Sequence, residues 1–159
     1  NTFMSKVSAG LAALVSAGYD PQIVGMLWTQ GERDAKIGQT TAQYQANLIE
    51  FIADMRSHYG SDMPFFLSRL SINQTDITAA QLTEIRTAQG NVAALDPLSY
   101  MIDTDSFGLN GDNLHFSAPG QIALGEAFAQ SYIATTPEPA TIALLAIGGL
   151  AVLRRRRKN

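Results

Sequence analysis

The chain has 159 residues, 46% of them hydrophobic, and it has no cysteine. That is enough for one domain with its own core, and it excludes a disulfide framework and a thiolate metal site. Five of the eleven basic residues lie at 154–158, so residues 1–136 carry six basic and thirteen acidic side chains. An acidic domain lacks the basic patches that bind phosphates, which argues against nucleic acid as a partner.

The first segment, residues 2–18, carries apolar side chains at helical spacing. Gly18 and Pro21 follow it and are typical helix terminators. We therefore predict a helix packed on a sheet. An alternative stays open, because Met4–Ala17 also resembles a short signal peptide with a charged start and a small-residue end.

The next apolar run, Ile23–Trp28, predicts a buried strand that stops at the polar stretch Thr29–Asp34. Ligands of open α/β sheets bind at the carboxyl ends of the strands. Gln30 could direct an amide N–H into such a crevice, and Gly31 would free the backbone to turn. From this stretch alone, an ordinary strand-to-loop exit with solvated polar side chains is the favoured alternative.

Two helices are predicted by the same N-terminal pattern. Thr40 and Gln43 form a capping box before a helix whose apolar face continues to Gly60, and Thr78 and Gln81 repeat the box before a second helix.

Two further strands and a last helix complete the domain. Strands are predicted at Pro64–Leu70 and Tyr100–Ile102, and Ser117 is predicted to cap the final helix, with a proline in its first turn. The alternation of strands and helices predicts an α/β domain with a parallel sheet.

Asp112 and His115 stand three residues apart between the last strand and the last helix. This spacing on a tight turn lets both side chains point the same way, and an aspartate can orient an imidazole for base catalysis. A lone D-x-x-H is a weak signal. His115 as a mere turn residue beside the last helix is the alternative.

Together these stretches resemble the SGNH (GDSL-like) hydrolases, in the branch of sialate O-acetylesterases and acetyl-xylan esterases. That branch's W-x-Q-G-E-x-D block is matched by Trp28–Asp34, and its D-x-x-H followed by F-S is matched by Asp112–Ser117. Ile85–Gln89 also resembles the branch's helical R-x-A-Q-like signature. The resemblance covers residues 3–134.

The resemblance implies a three-layer α/β/α fold and ester hydrolysis through a serine acyl-enzyme, without metal or cofactor. His115 would be the general base and Asp112 would orient it. Gln30 would donate to the oxyanion, and Gly31 would let the loop approach closely.

Two further residues are assigned a supporting role by the resemblance. Glu32 and Arg86 would form a structural ion pair behind the site. An acetylated glycan is the substrate implied.

The chain departs from the family pattern in its nucleophile. The family's first block, G-D-S or G-Q-S-N, is not found here, and three predicted strands are fewer than the family's five. We therefore expect the N-terminal strand or strands and the nucleophilic serine to lie upstream, and this chain alone to be inactive. The alternative is a non-catalytic surface carbohydrate-binding or matrix protein with the same fold.

The C-terminal tail has a separate character. We predict an esterase domain at 1–134, a Pro-Glu-Pro linker at 135–139, and a hydrophobic helix with an arginine cluster at 140–159. Fourteen residues, all apolar or glycine except Thr141, precede a basic block and resemble a short stop-transfer segment.

The whole arrangement at residues 137–157 resembles the PEP-CTERM sorting signal of Gram-negative bacteria. This implies recognition by an exosortase, anchoring in the inner membrane, and a destination at the cell surface or in the extracellular matrix.

Overall fold

The computed structural model describes residues 2–135, so the predictions for the tail lie outside the described residues. The elements follow one another in the order α1 (Thr2–Ser16), β1 (Met26–Thr29), α2 (Glu32–Lys36), α3 (Thr41–Tyr59), β2 (Phe65–Ser68), α4 (Ala79–Leu95), β3 (Ser99–Ile102) and α5 (Ala118–Thr135).

The three strands form one parallel sheet in the order β1-β2-β3. In register, Trp28 of β1 is level with Leu67 of β2, which is level with Met101 of β3. All four residues of the central strand β2 are buried. Burial on both faces is the usual condition of a parallel sheet, and it explains why the continuous apolar run at this position predicted a strand.

Helices cover both faces of the sheet. Phe65 and Leu67 belong to a core shared with α3 and α4, whereas Phe66, between them, packs with Leu124 and Phe128 of α5. Successive side chains of a strand point to opposite faces, so β2 supplies both cores. The predicted three-layer α/β/α architecture is confirmed.

Both predicted capping boxes are present. The Thr40 side chain accepts from the Gln43 N–H while the Gln43 side chain accepts from the Thr40 N–H, and Thr78 and Gln81 do the same. Each box satisfies backbone donors that a helix start leaves without intrahelical partners. The helix after Thr40 ends before Gly60, as predicted.

The first two strands are shorter than predicted, the third begins one residue earlier, at Ser99, and one helix was missed. The sequence placed the first strand at Ile23–Trp28 and the second at Pro64–Leu70, but ladder pairing covers only four residues in each strand. The polar stretch after the first strand contains the short helix α2, which carries little hydrophobic periodicity because Ala35 is its one buried residue.

The N-terminal helix α1 was predicted correctly as a helix. Among residues 3–16 none is buried, and contact with the main core is made by the partly buried Met4, whose sulfur accepts from the Tyr59 hydroxyl at 3.3 Å. Within residues 2–135, no helix combines the length and apolar character needed to cross a membrane.

Candidate active site

The turn after β1 is fixed by Gly31, which is buried and has a φ of 141°. Residues other than glycine rarely adopt such a φ. A Cβ placed here would lie 2.9 Å from Cγ2 of Ile85 and 3.3 Å from Cδ1 of Leu70. Glycine therefore allows the turn to lie directly against α4.

The Gln30 side chain is held inside this turn. Its Oε1 accepts from the Tyr44 hydroxyl at 3.1 Å, and its Nε2 donates to the Asp34 carboxylate. The Gln30 carbonyl accepts from the same hydroxyl and from Nε2 of Gln89, both at 3.1 Å. Among the described residues, Asp34 is the one acceptor bonded to the amide nitrogen, so its second N–H is available to a ligand.

Tyr44 serves this turn as a neutral donor. Burial raises the pKa of its hydroxyl to about 12, since desolvation disfavours the phenolate. The hydroxyl therefore keeps its proton throughout the physiological range and holds the Gln30 amide in one orientation.

The loop before α5 brings Asp112 and His115 into contact, as their spacing predicted. Nδ1 of His115 lies 2.6 Å from Oδ2 of Asp112. The other carboxylate oxygen accepts from the backbone N–H groups of Leu114 and His115, both at 3.0 Å. Asn113 takes a φ of 51°, which asparagine tolerates better than most residues. One carboxylate therefore orients the ring and closes the turn.

Hydrogen bonding keeps Asp112 ionised. The His115 side chain, followed by the N–H groups of Leu114 and His115, lowers the Asp112 pKa to about 2. The His115 side chain is 71% exposed, and within residues 2–135 its Nε2 makes no hydrogen bond. The imidazole is thus oriented at one nitrogen and open at the other.

This loop is anchored to the start of α5. The Ser117 N–H and hydroxyl donate to the Gly108 carbonyl at 2.9 and 3.0 Å, and the same hydroxyl accepts from the Gly120 N–H at 3.3 Å. Ser117 therefore caps the helix, as predicted. A Cβ on Gly120 would overlap the Gly108 carbonyl, so the two backbones are in direct contact.

A buried amide links the turn to the loop. Nε2 of Gln74 donates to the Leu114 carbonyl at 2.8 Å and lies 3.4 Å from Oε1 of Glu32. The structure therefore brings Glu32, two residues after Gln30, close to the loop that carries His115.

The predicted ion pair between Glu32 and Arg86 is wrong. Arg86 instead binds Asp105 through two parallel contacts of 2.6 and 2.8 Å, and it also donates to the Leu70 carbonyl. The Arg86 hydrogen bond is the main cause that lowers the Asp105 pKa. Arg86 links α4 to the segment after β3. Its planar guanidinium group donates to both oxygens of the Asp105 carboxylate, which is the bidentate geometry typical of strong arginine–carboxylate pairs.

Sequence reasoning missed Gln74, Gln89 and Asp105 as supporting residues. Gln89 was read only as part of a motif, yet its side chain receives the Leu70 N–H at 3.0 Å and donates to the Gln30 carbonyl. Their side-chain partners lie 19 to 59 positions away, so no local spacing could have indicated them.

No serine among residues 2–135 hydrogen-bonds to His115. The same part of the chain contains no cluster of three or more His, Cys, Asp or Glu side chains arranged to hold a metal ion.

The comparisons with known proteins cover both parts of the chain. Residues 3–134 match the family model described as carbohydrate esterase, sialic acid-specific acetylesterase, and residues 135–158 match the PEP-CTERM protein-sorting motif. No curated protein matches the chain.

A solved structure supports the fold. The chain is similar to the crystal structure of a protein from Arabidopsis thaliana, with a TM-score of 0.60 and 22% identity over 72% of this chain. At that identity the likeness supports the fold alone. The chain spans 45% of the length of that structure.

Proposed function

The chain belongs to the carbohydrate esterase family of sialic acid-specific acetylesterases, and on that premise we propose that it forms part of an exported carbohydrate O-acetylesterase. The observation that carries the proposal is the Asp112–His115 pair, with 2.6 Å between carboxylate and Nδ1 and an imidazole that is 71% exposed. This arrangement suits a general base that must reach a substrate from the surface.

In the proposed reaction, Nε2 of His115 takes the proton of a serine hydroxyl as the serine oxygen attacks the acetyl carbonyl carbon. The imidazolium then gives that proton to the departing sugar oxygen. Water, deprotonated by the same nitrogen, attacks the acyl carbon; the bond to the serine oxygen breaks, acetate leaves, and the imidazolium returns its proton to the serine oxygen. Asp112 stays ionised throughout, and it stabilises the imidazolium and keeps the neutral ring protonated at Nδ1.

Gln30 is the proposed donor to the oxyanion of the tetrahedral intermediate. Its Oε1 is held by Tyr44 and one amide N–H by Asp34, which leaves the second N–H in a fixed direction. A donor that is already oriented loses little free energy to reorganisation in the transition state. Removing such a donor typically lowers the rate about 10²–10³-fold.

The nucleophilic serine is proposed to lie upstream of these 159 residues. The absence of any serine bonded to His115 in the described part of the chain supports this. We expect the purified 159-residue chain not to hydrolyse an activated acetyl ester. Robust turnover of that ester by the 159-residue chain would contradict the assignment.

The test uses the protein extended to include the family's first block. Acetate release is measured from acetylated xylan and from O-acetyl sialic acid, for wild type, His115→Ala and His58→Ala. His115→Ala should lower the rate about 10⁴-fold, because the base and its orientation are both lost. Within residues 2–135, His58 contacts Asp54, Ser57 and Tyr59, all of its own helix α3, so His58→Ala is the matched control.

The outcomes separate the two functions that the fold allows. Equal release by His115→Ala and wild type would remove His115 from the mechanism. Glycan binding with no acetate release from either protein would favour the non-catalytic carbohydrate-binding function.

The PEP-CTERM motif supports a proposed route to the surface of a Gram-negative bacterium. An exosortase would read residues 137–157, and the apolar segment with its arginine block would be held in the inner membrane before release. Replacing Pro137, Glu138 and Pro139 with alanine should leave the protein in the membrane fraction. Release equal to that of wild type would contradict the route.

A further inference from the structure

Gln74 is a deeply buried polar residue beside the candidate site, and the reaction above does not use it. Its side chain is 2% exposed, in the loop that follows β2. Nε2 donates to the Leu114 carbonyl at 2.8 Å and lies 3.4 Å from the Glu32 carboxylate. Among the described residues, Oε1 is buried without a hydrogen-bond partner.

The Leu114 carbonyl belongs to the same peptide unit as the His115 N–H. Gln74 binds that unit at its oxygen, and Asp112 binds it at its hydrogen, at 3.0 Å. A peptide unit is planar, so contacts at both of its ends restrict its rotation. The direction in which the His115 side chain leaves the backbone follows from the orientation of that plane.

Little else restrains the exposed ring of His115. In the described part of the chain its ring contacts Asp112, which is itself half exposed, and its carbonyl accepts from the Asn110 N–H at 2.8 Å. Leu114 is partly buried against the main core, so the loop is attached to the domain at this residue. Gln74 is the polar part of that attachment.

Because Gln74 is buried, only some atoms of its amide group can contribute favourably to the stability of the loop. A buried amide oxygen without a partner is unfavourable, and a methionine of similar length would avoid that penalty. The favourable contribution of the amide is therefore confined to Nε2 and its two acceptors. Both belong to segments that carry proposed site residues.

We propose that Gln74 is a positioning residue, which fixes the Leu114–His115 peptide and couples it to the turn that carries Gln30. The proposal rests on the proposed role of His115 as the general base. It does not place Gln74 in contact with substrate.

The direct measurement is the protonation state of the imidazole nitrogens of His115. Nitrogen NMR distinguishes the form with hydrogen on Nδ1 from the form with hydrogen on Nε2. The chain has two histidines, so His58 is an internal reference. In wild type, the Nδ1–H form should dominate in the neutral ring because Asp112 accepts its hydrogen.

The variant is Gln74→Met in the full chain. The ratio of the Nδ1–H to the Nε2–H form at His115 should fall about two- to tenfold, the range of one hydrogen bond's net effect. His58 should not change. Gln74→Asn, which keeps the amide but shortens it by one methylene, should change the ratio in the same direction and serves if the methionine variant fails to fold.

The matched control is Ser99→Ala, which removes another buried hydrogen bond, the 2.5 Å contact to Asp96 at the opposite end of the sheet. It should destabilise the fold and leave the His115 ratio unchanged. An unchanged ratio in both Gln74 variants, or an equal change in Ser99→Ala, would overturn the positioning role.

Hydrolysis by the extended protein supplies the second readout. Gln74→Met should lower kcat with little change in KM, since the variant misaligns the base and leaves the substrate contacts in place. If wild type does not hydrolyse any ester but the His115 ratio still responds to Gln74→Met, the effect on the loop stands and the proposed function falls.

Discussion

The Gly31 turn and the Asp112–His115 loop both follow the carboxyl ends of strands, yet they are held by different forces. Gly31 is buried against α4, with no room for a Cβ beside Ile85. Asp112 and His115 are about half or more exposed, and the hydrogen bonds of the Asp112 carboxylate lie within four residues of chain.

This difference predicts how each region responds to change. Packing contacts are close and numerous, so a change in the turn should unfold the domain before it affects chemistry alone. Short polar contacts at the surface contribute little to global stability, so a change in the loop should affect the reaction and leave the fold intact.

The largest effect on stability is expected from Gly31→Ala. Backbone strain and the clash with Ile85 should together lower the free energy of unfolding by roughly 2–5 kcal/mol. Urea unfolding followed by circular dichroism measures the change. Gly38→Ala is the control, because Gly38 also has a positive φ, 77°, but no atom lies within 4 Å of the added Cβ. It should lose only about 1–2 kcal/mol, and equal losses in the two variants would show that packing against α4 is unimportant.

An intermediate effect is expected from Arg86→Met, which removes a partly buried ion pair. The Asp105 carboxylate and the Leu70 carbonyl would lose their shared donor, at a cost of about 1–3 kcal/mol. Lys36→Met breaks the exposed pair with Asp76 and should cost less than about 1 kcal/mol. If urea unfolding gave the two variants the same stability, burial would not be the deciding factor.

The smallest effect on stability belongs to the loop and appears in its pH dependence. The folded Asp112 pKa of about 2 lies below the ordinary value of 3.8, so the stabilisation is complete above pH 4 and is lost as the pH falls towards 2. A carbon NMR titration of the Asp112 carboxyl group should give a midpoint near pH 2. His115→Ala removes the main cause of the shift, so its midpoint should rise. An unchanged midpoint would assign the shift to the backbone N–H groups.

Local patterns predicted the elements well where one segment supplies all of the interaction. The capping boxes at Thr40 and Thr78 lie within four residues of chain, and so does the contact between Asp112 and His115. Contacts of that range depend little on the rest of the fold, so residue type and spacing are sufficient.

Side-chain contacts between residues far apart in the chain were predicted wrongly from the sequence. Arg86 was assigned to Glu32, but it binds Asp105, while Glu32 faces Gln74. An arginine can reach any carboxylate that the fold brings near, and spacing along the chain carries no information about which one that is. The missed helix α2 has the same cause, because its one buried residue, Ala35, is covered by distant segments.

The sequence by itself therefore determined the α/β class, the helix starts, the Asp112–His115 pair and the family to which the chain belongs. Only the tertiary structure decided how the two halves of the site meet: Gly31 lies against α4, and Gln74 joins Glu32 to the Leu114 carbonyl. The physical reason is the separation along the chain between the residues that interact. Helix caps and tight turns are complete within a few residues, whereas a buried amide acquires its partners only when the strands and helices pack.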